Sequence, residues 1–319
     1  VRIAYNLFTQ RPKQELDDFE RWTDMLKPGQ GTDFFRANGA GEMLVFPAAD
    51  FEDFLQSRPD LPEGMDDELE RVEHRWPFRL HATYDESISR MLDVFEKVNR
   101  DIPFNGLHWF FDHAETITER NIERVKALGG GIAVQHRMAF QGEYFVDRYG
   151  KEAVKHTPPV AKMLALDVPV GLGTDATRVA SYNPWTALYW LVSGRTVGGM
   201  AMYDDANRLP RDVALELWTA GSAWFSSEQG KKGRIEKDQL ADLVVLSKDY
   251  FSVPEEEIKG IESVLTVVDG KVVYAAGHFS PLAPPPIPVL PEWSPVVKVP
   301  GHYRSAPPAA AKIGAIVQM

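Results

Sequence analysis

The sequence predicts an α/β fold: part of a (β/α)8, TIM-type barrel, followed by a small β-sandwich segment. From Pro77 onward, apolar runs that are too short for helices alternate with longer amphipathic runs. Strands that alternate with helices form βαβ units and pair in parallel. Four of the short runs end in a polar or ionisable residue, and in a (β/α)8 barrel the chemistry lies at the C-terminal ends of the strands.

The predicted strands are short apolar runs bounded by polar residues or glycine. In chain order they are VRIAYNLF (1–8), GAGEMLVFPAAD (39–50), PFRLHA (77–82), GLHWFFDHAE (106–115), GIAVQHR (131–137) and PVGLGTD (169–175). The last four are regular, whereas the first two are harder to read. The total is smaller than the eight strands of a closed barrel.

The predicted helices have apolar residues that recur every three or four positions and form one face. They span 15–26, 85–100, 118–128, 158–166, 183–193 and 211–225. The third helix begins with Thr118 as a predicted N-cap. It ends at the three glycines of 129–131, which favour a helix stop.

Beyond residue 232 the chain changes to short β-rich runs. LADLVVLSKD (240–249) precedes SVLTVVDGKVVYAAG (263–277), which contains a hairpin signal at Asp269-Gly270. The prolines that follow exclude regular helix or sheet. We therefore predict a barrel portion over 1–232, a β-sandwich segment over 233–280 and an extended proline-rich tail over 281–319.

Composition limits the classes of partner and site. The 319 residues carry a net charge of -11, which argues against binding to a nucleic-acid backbone. There are no cysteines, so disulfides and thiolate metal sites are excluded, and a metal must be held by His, Asp, Glu or a modified Lys. We find no apolar run of about 18 residues and no signal peptide. The expected location is therefore the cytoplasm, and the expected ligand is a small molecule.

Four ionisable residues stand at the ends of successive predicted strands: His81, His113, His136 and Asp175. Their separations are roughly one or two barrel repeats of about 30 residues. A barrel would bring these side chains to one rim, where imidazole and carboxylate groups suit zinc and similar divalent ions. A lone histidine at a strand end is usually structural, but the joint occurrence favours a site.

Four motifs resemble the amidohydrolase superfamily, in particular its YtcJ-like (amidohydrolase 3) branch, over about residues 77 to 275. RLHATYD is similar to the fifth-strand motif, FDHAETIT to the sixth-strand motif "EHAQ", and GTDATRVASYNP to the eighth-strand motif "GSDxP". QLADLVVLSKD with VLTVVDGKVVY is similar to the C-terminal signature that completes a β-sandwich.

The resemblance implies a metal-dependent hydrolase of amide-like, non-peptide carbon–nitrogen bonds. It implies that His81 and His113 bind a divalent metal, most simply zinc, and that the metal lowers the pKa of a bound water. It implies that Asp175 is a further ligand and the general base, which passes the proton from the water to the leaving nitrogen. The alternative for Asp175 is a helix N-cap after a strand.

Three further assignments are more open. Some branches of the superfamily carry a carboxylate or a carboxylated lysine on the third or fourth strand, so the resemblance implies Glu42 as a metal ligand; otherwise it is an ordinary loop acid. His136 is a candidate substrate-binding residue or a rim histidine without a role. Arg178 could hold an anionic group or form a surface salt bridge. His108 is expected to be structural, and no role is assigned to the remaining histidines, His74, His156, His278 and His302.

The sequence departs from the superfamily in one respect: it contains no His-x-His, the motif that supplies two metal ligands on the first strand. We expect that the N-terminal part of the barrel is absent from this chain, through cleavage or omission or because another polypeptide carries it. An open half-barrel exposes strand edges and would need a partner, either a second copy or the missing half. Such a piece would hold metal weakly and could be inactive alone.

Two other functions are compatible with the same residues. One is a non-catalytic, regulatory relative that kept the barrel and acts through binding. The other is a barrel enzyme whose histidines serve as acid–base groups without a metal. Metal analysis separates a metal-dependent hydrolase from both.

Overall fold

A computed structural model describes residues 1–8, 11, 14–44, 75–176 and 179–285. Within these residues, six parallel strands form one curled sheet in the order of the sequence. The strands are β1 (Ile3–Leu7), β2 (Phe35–Ala40), β3 (Phe78–Ala82), β4 (Trp109–His113), β5 (Gly131–Gln135) and β6 (Val170–Gly173). The predicted α/β fold and partial barrel are confirmed.

Strand β2 begins earlier than the sequence predicts. The predicted strand was 39–50, whereas the observed one is Phe35–Ala40, and residues 45–50 lie outside the described part of the chain. The run FRANGA is not apolar enough to mark a strand, yet it pairs with β1 along its length. Gly39 permits this close approach, because a Cβ there would lie 2.1 Å from the carbonyl oxygen of Pro77.

Most of the predicted helices are present. The helices of the barrel portion are α1 (Glu15–Met25), α2 (Asp85–Asp101), α3 (Glu119–Ala127), α4 (Met138–Tyr149), α5 (Lys151–Val154), α6 (Val160–Ala165), α7 (Pro184–Ser193), α8 (Arg211–Glu216) and α9 (Ser222–Phe225). A π-helical turn, Leu217–Gly221, separates α8 from α9. Thr118 is the N-cap residue of α3, although its side chain makes no capping hydrogen bond. Helices α4 and α5 were not predicted from the sequence.

The outer face of the sheet packs on the helices through aromatic residues. Phe95 of α2 lies 5.1 Å from Trp109 and 5.8 Å from Phe111, measured between ring centroids. Both β4 residues are fully buried, as strand alternation predicts for one face. This packing fixes the strand whose end carries His113.

Helix α9 covers the inner face of the sheet near the N-terminal ends of β4, β5 and β6. Phe110 lies 4.8 Å from Phe225 between ring centroids, and a Cβ on Gly171 would lie 2.6 Å from the Phe225 ring. A Cβ on Gly131 would likewise lie 2.6 Å from Trp224. The small residues of β5 and β6 therefore make room for two aromatic side chains, and the space above them stays open.

A second, antiparallel sheet follows the barrel portion. It contains β7 (Leu243–Leu246), β8 (Ser263–Val268) and β9 (Lys271–Ala275), with the short helix α10 (Glu255–Ile258) between β7 and β8. The predicted hairpin turn at Asp269 and Gly270 joins β8 to β9. The limits 232 and 280 stay predictions, and residues 286–319 of the predicted tail lie outside the described residues. No helix among the described residues is long and apolar enough to cross a membrane.

Candidate metal centre

Three side chains meet where strands β2, β3 and β4 end. His81 lies in β3, His113 ends β4, and Glu42 follows β2 by two residues. Oε1 of Glu42 lies 2.9 Å from Nδ1 of His81 and 3.1 Å from Nε2 of His113. All three possible ligand atoms lie within 4.8 Å of one another, and both histidines are buried. The structure thus brings together three residues that the sequence indicated as metal ligands.

The backbone of β4 turns His113 toward this cluster. The strand register pairs His81 with Asp112 and Ala82 with His113. Because side chains alternate along a strand, a regular β4 would place His113 on the face opposite His81. His113 and Ala114 instead have φ values of 76° and 52°, in the left-handed region. This conformation is costly for residues other than glycine and is retained only where the surroundings hold it.

Buried contacts hold the turn. The backbone N–H of Ala114 donates to the carbonyl oxygen of Ala82 at 2.8 Å. Glu115, the next residue, is fully buried, and its Oε1 accepts a hydrogen bond from Nε2 of Gln135 at 2.9 Å. Nη1 of Arg137, which is also fully buried, lies 3.9 Å from the same oxygen. Burial raises the pKa of Glu115, and the adjacent His113 and the hydrogen bond from Gln135 oppose that shift.

An ion pair adjoins the cluster on the inner face of the sheet. Nε of Arg79 donates to Oδ2 of Asp112 at 2.6 Å, and Nη2 of Arg79 lies 3.9 Å from Oε2 of Glu42. Burial alone lowers the pKa of Arg79, but the carboxylates of Asp112 and Glu42 raise it above its ordinary value. Burial raises the pKa of Asp112 while Arg79 lowers it. The guanidinium is therefore charged beside the cluster.

The donor set of the cluster fits a divalent cation. Burial alone would raise the pKa of Glu42, but the adjoining His113, His81 and Arg79 hold it well below its ordinary range, so the group is a carboxylate. Two imidazole nitrogens and a carboxylate oxygen are ligands that zinc and similar ions accept. The side chain of Glu42 is 35% exposed, which leaves a route to the cluster from solvent.

Asp175 lies near the cluster but outside the group of three. It follows β6 by two residues, has a φ of 49° and is exposed. Both Asp175 and His113 line a cavity of about 400 Å³ on the inner face of the sheet. The next described helix, α7, is capped by Asn183, whose side chain accepts from the N–H of Trp185. Asp175 therefore does not cap that helix.

The other named residues lie elsewhere. His136 follows β5 and is fully buried, with its ring 5.4 Å from that of Phe140, and it is not among the described residues that line the cavity. Burial lowers the pKa of His136 to about 4. Arg178 lies outside the described residues. The His108 ring lies 3.9 Å from that of Trp224, in agreement with a structural role.

The sequence did not reveal the charged residues around the cluster: Arg79, Asp112, Glu115 and Arg137. Each lies within two residues of a predicted strand-end histidine, inside or beside an apolar run. A charged side chain in such a run is a signal, because burying a charge is expensive unless it is paired. The side chain that pairs with each charge follows from the strand register, and the sequence does not specify that register.

Comparisons with known proteins place these features in a family. The Amidohydrolase family model matches residues 1–274. YtcJ of Bacillus subtilis (strain 168), a protein assigned as an amidohydrolase, is 27% identical over 199 residues, which are 61% of this chain and 37% of YtcJ. The N-substituted formamide deformylase of Arthrobacter pascens is 27% identical over 198 residues, which are 61% of this chain and 36% of that protein.

A solved structure shares the fold. The crystal structure of an uncharacterized metal-dependent hydrolase from Pyrococcus horikoshii OT3 superposes with a TM-score of 0.60 at 20% identity. The match covers 80% of this chain and 52% of the other. The chain thus spans about half the length of that structure, and a little over a third of the two curated relatives.

Proposed function

Because the chain belongs to the amidohydrolase family, we propose that the protein is a metal-dependent hydrolase of amide-like carbon–nitrogen bonds. One observation carries the proposal: a single oxygen of Glu42 lies within hydrogen-bonding distance of both His81 and His113 at the ends of neighbouring parallel strands. In a barrel fold this rim is the place where catalysis occurs. The named activity of the Arthrobacter pascens relative, removal of a formyl group from an N-substituted formamide, supports a carbon–nitrogen bond as the target.

The cluster would hold a divalent ion, and its ligand types favour zinc. Glu42, His81 and His113 are the residues of this chain that would bind it, through one oxygen and two ring nitrogens. When bound, such an ion supplies a Lewis acid for the substrate carbonyl and lowers the pKa of water. Arg79 keeps a positive charge next to Glu42 and thereby helps to keep that carboxylate ionised.

Asp175 is the proposed general base, and a further ligand in the same proposal. It is an exposed carboxylate at the cavity rim, at the same end of the sheet as His113. From that position it can accept the proton of the attacking water and deliver it to the leaving nitrogen. The roles of His136 and Arg178 in substrate binding stay predictions.

The described sheet has two open edges, at β1 and β6. Exposed edges present unpaired backbone groups and invite pairing with further strands. We propose that the active assembly covers these edges, with a second copy or with further barrel strands that add ligands to the centre.

Zinc binding tests the proposal directly. The metal-free chain is titrated with zinc against a chromophoric chelator. In a second experiment, hydrolysis of an N-substituted formamide by the zinc-loaded chain is followed before and after chelation. We expect His81→Ala and His113→Ala to lower zinc affinity at least tenfold, because each removes one of the three ligands. The matched control is His156→Ala, since His156 is exposed and far along the chain from the cluster. Equal zinc affinity in all four proteins would refute the metal centre.

A further inference from the structure

The cavity beside the metal centre has one arginine on its wall among the described residues. Its inner-face lining comes from all six parallel strands and includes Asn6, Asn38, Arg79, Asp112, Ala133 and Gly171. Its volume of about 400 Å³ lies in the range of small-molecule sites. Phe110 and Phe225 contribute an apolar part, and His113 and Asp175 line it near the strand ends.

The guanidinium of Arg79 is fixed from two sides. Nε donates to Asp112 at 2.6 Å, and the central carbon lies 5.8 Å from the centroid of the Phe110 ring. Among the described residues its one hydrogen bond uses Nε, so the edge formed by Nη1 and Nη2 remains for a ligand. The side chain is 30% exposed, and it lines the cavity. A planar, preoriented fork of this kind matches a carboxylate, which it can bind through two parallel hydrogen bonds.

The position of Arg79 relates this subsite to the reaction. Nη2 lies 3.9 Å from Oε2 of Glu42, whose other oxygen contacts both histidines. A group bound to Arg79 therefore lies next to the proposed metal centre rather than at the far end of the substrate. The carboxyl groups of Asp112, Glu42 and Asp175 all raise the pKa of Arg79, so the wall has no surplus of positive charge. The selectivity must therefore come from hydrogen-bond geometry rather than from net charge.

We infer that Arg79 forms a carboxylate-binding subsite, and that the substrates are amide-like compounds with a carboxylate close to the scissile carbon–nitrogen bond and an apolar body. The identification of this carboxylate as part of a substrate rests on the proposed function. Binding of the carboxylate does not, because it involves Arg79 and the aromatic residues rather than the metal ligands. Phe110 and Phe225 then contact the apolar body.

Benzoate and benzamide are suitable probes, because they share a ring and differ in the carboxylate. Binding to the metal-free chain is measured by ligand-observed NMR, so that no metal can attract benzoate. We expect benzoate to bind about tenfold more tightly than benzamide, as a charge-assisted bidentate contact allows. Arg79→Lys should abolish this preference, because a lysine cannot present the planar fork. The control Arg148→Lys, at an exposed arginine beside Tyr149, should keep it.

Two more variants cover the case that Arg79→Lys does not fold. Gly173 lines the cavity, and a Cβ added there would meet no atom within 4 Å, so Gly173→Val should fold and weaken both probes by filling the space. The double change Arg79→Leu with Asp112→Leu removes both charges together and should abolish the preference. The subsite is refuted if the unchanged chain binds benzoate and benzamide equally. It is also refuted if the preference for benzoate persists in the variants that replace Arg79. If the unchanged chain prefers benzoate but neither binds zinc nor hydrolyses the amide-like substrate, the proposed function is refuted and the carboxylate subsite stands.

Discussion

The imidazole rings of His81 and His113 lie 4.5 Å apart between centroids and are inclined by 65°, although the strand register assigns the two residues to opposite faces. The left-handed turn at His113 makes this possible, and the buried Glu115 follows it directly. We therefore expect Glu115→Gln to lower zinc affinity about tenfold, because it disturbs the buried contacts with Gln135 and Arg137 and loosens the turn. Chelator competition measures the affinity.

A second buried carboxylate provides the control for this prediction. Glu228 is 3% exposed and accepts from Nη1 of Arg36 at 2.6 Å, at the start of β2 rather than at its end. Glu228→Gln should destabilise the fold without changing zinc affinity. If both variants bind zinc as the unchanged chain does, Glu115 acts on stability only and does not position His113.

The strands from β3 to β6 could be predicted from the sequence because each is a short apolar run followed by polar or ionisable residues. His81, His113 and Asp175 follow short apolar runs, and parallel strands bring such ends to one edge. Helix α4 was not predicted because its apolar residues do not form one face: the aromatic residues Phe140, Tyr144 and Tyr149 are exposed on it. Exposed aromatic residues weaken the contrast between the two faces on which helix prediction depends.

The contacts inside the candidate site could not be predicted in the same way. Glu42 was named as a ligand from the resemblance, but its shared oxygen depends on where β2 ends, and the predicted strand was placed several residues too late. The Arg79–Asp112 pair depends on the register between β3 and β4. Register follows from packing of whole strands, which short apolar runs do not specify.

Asp175→Asn should abolish most of the hydrolytic activity and leave the fold intact. The amide cannot take up the proton of the attacking water, and loss of such a group typically costs about 10² to 10⁴ in rate. The rate is measured on the amide-like substrate that the unchanged chain hydrolyses, with circular dichroism to check the fold. Asp167 is a matched control, because it is also exposed and has a φ of 55°. Full activity in Asp175→Asn, or equal loss in Asp167→Asn, would remove Asp175 as the base.

The stability of the fold should fall in acid through Glu228. Burial alone would raise its pKa, but Arg36, Lys232 and Ser226 lower it from 4.5 to about 2. Since the folded-state pKa lies below the unfolded one, the stabilisation is complete above about pH 4.5 and is lost as the pH falls toward about 2. The difference corresponds to about 3 kcal/mol.

Urea unfolding at a series of pH values measures this contribution. Glu228→Gln should lower the free energy of unfolding at neutral pH and flatten its decline between about pH 4.5 and about pH 2. Glu123→Gln is the control, because Glu123 is exposed on α3. An identical decline in Glu228→Gln and in the unchanged chain would show that other carboxylates cause it.

The packing of α9 against the inner face predicts a contrast between two neighbouring glycines. Gly171→Ala should destabilise the protein by about 1–3 kcal/mol, because its Cβ would lie 2.6 Å from the Phe225 ring and 3.1 Å from the Cα atom of Ser222. Gly173→Ala, two residues along the same strand, meets no atom within 4 Å and should be nearly neutral. Denaturant unfolding of both variants tests whether α9 occupies the interior of the sheet. Equal stability of the two variants would mean that Phe225 does not pack against β6 in solution.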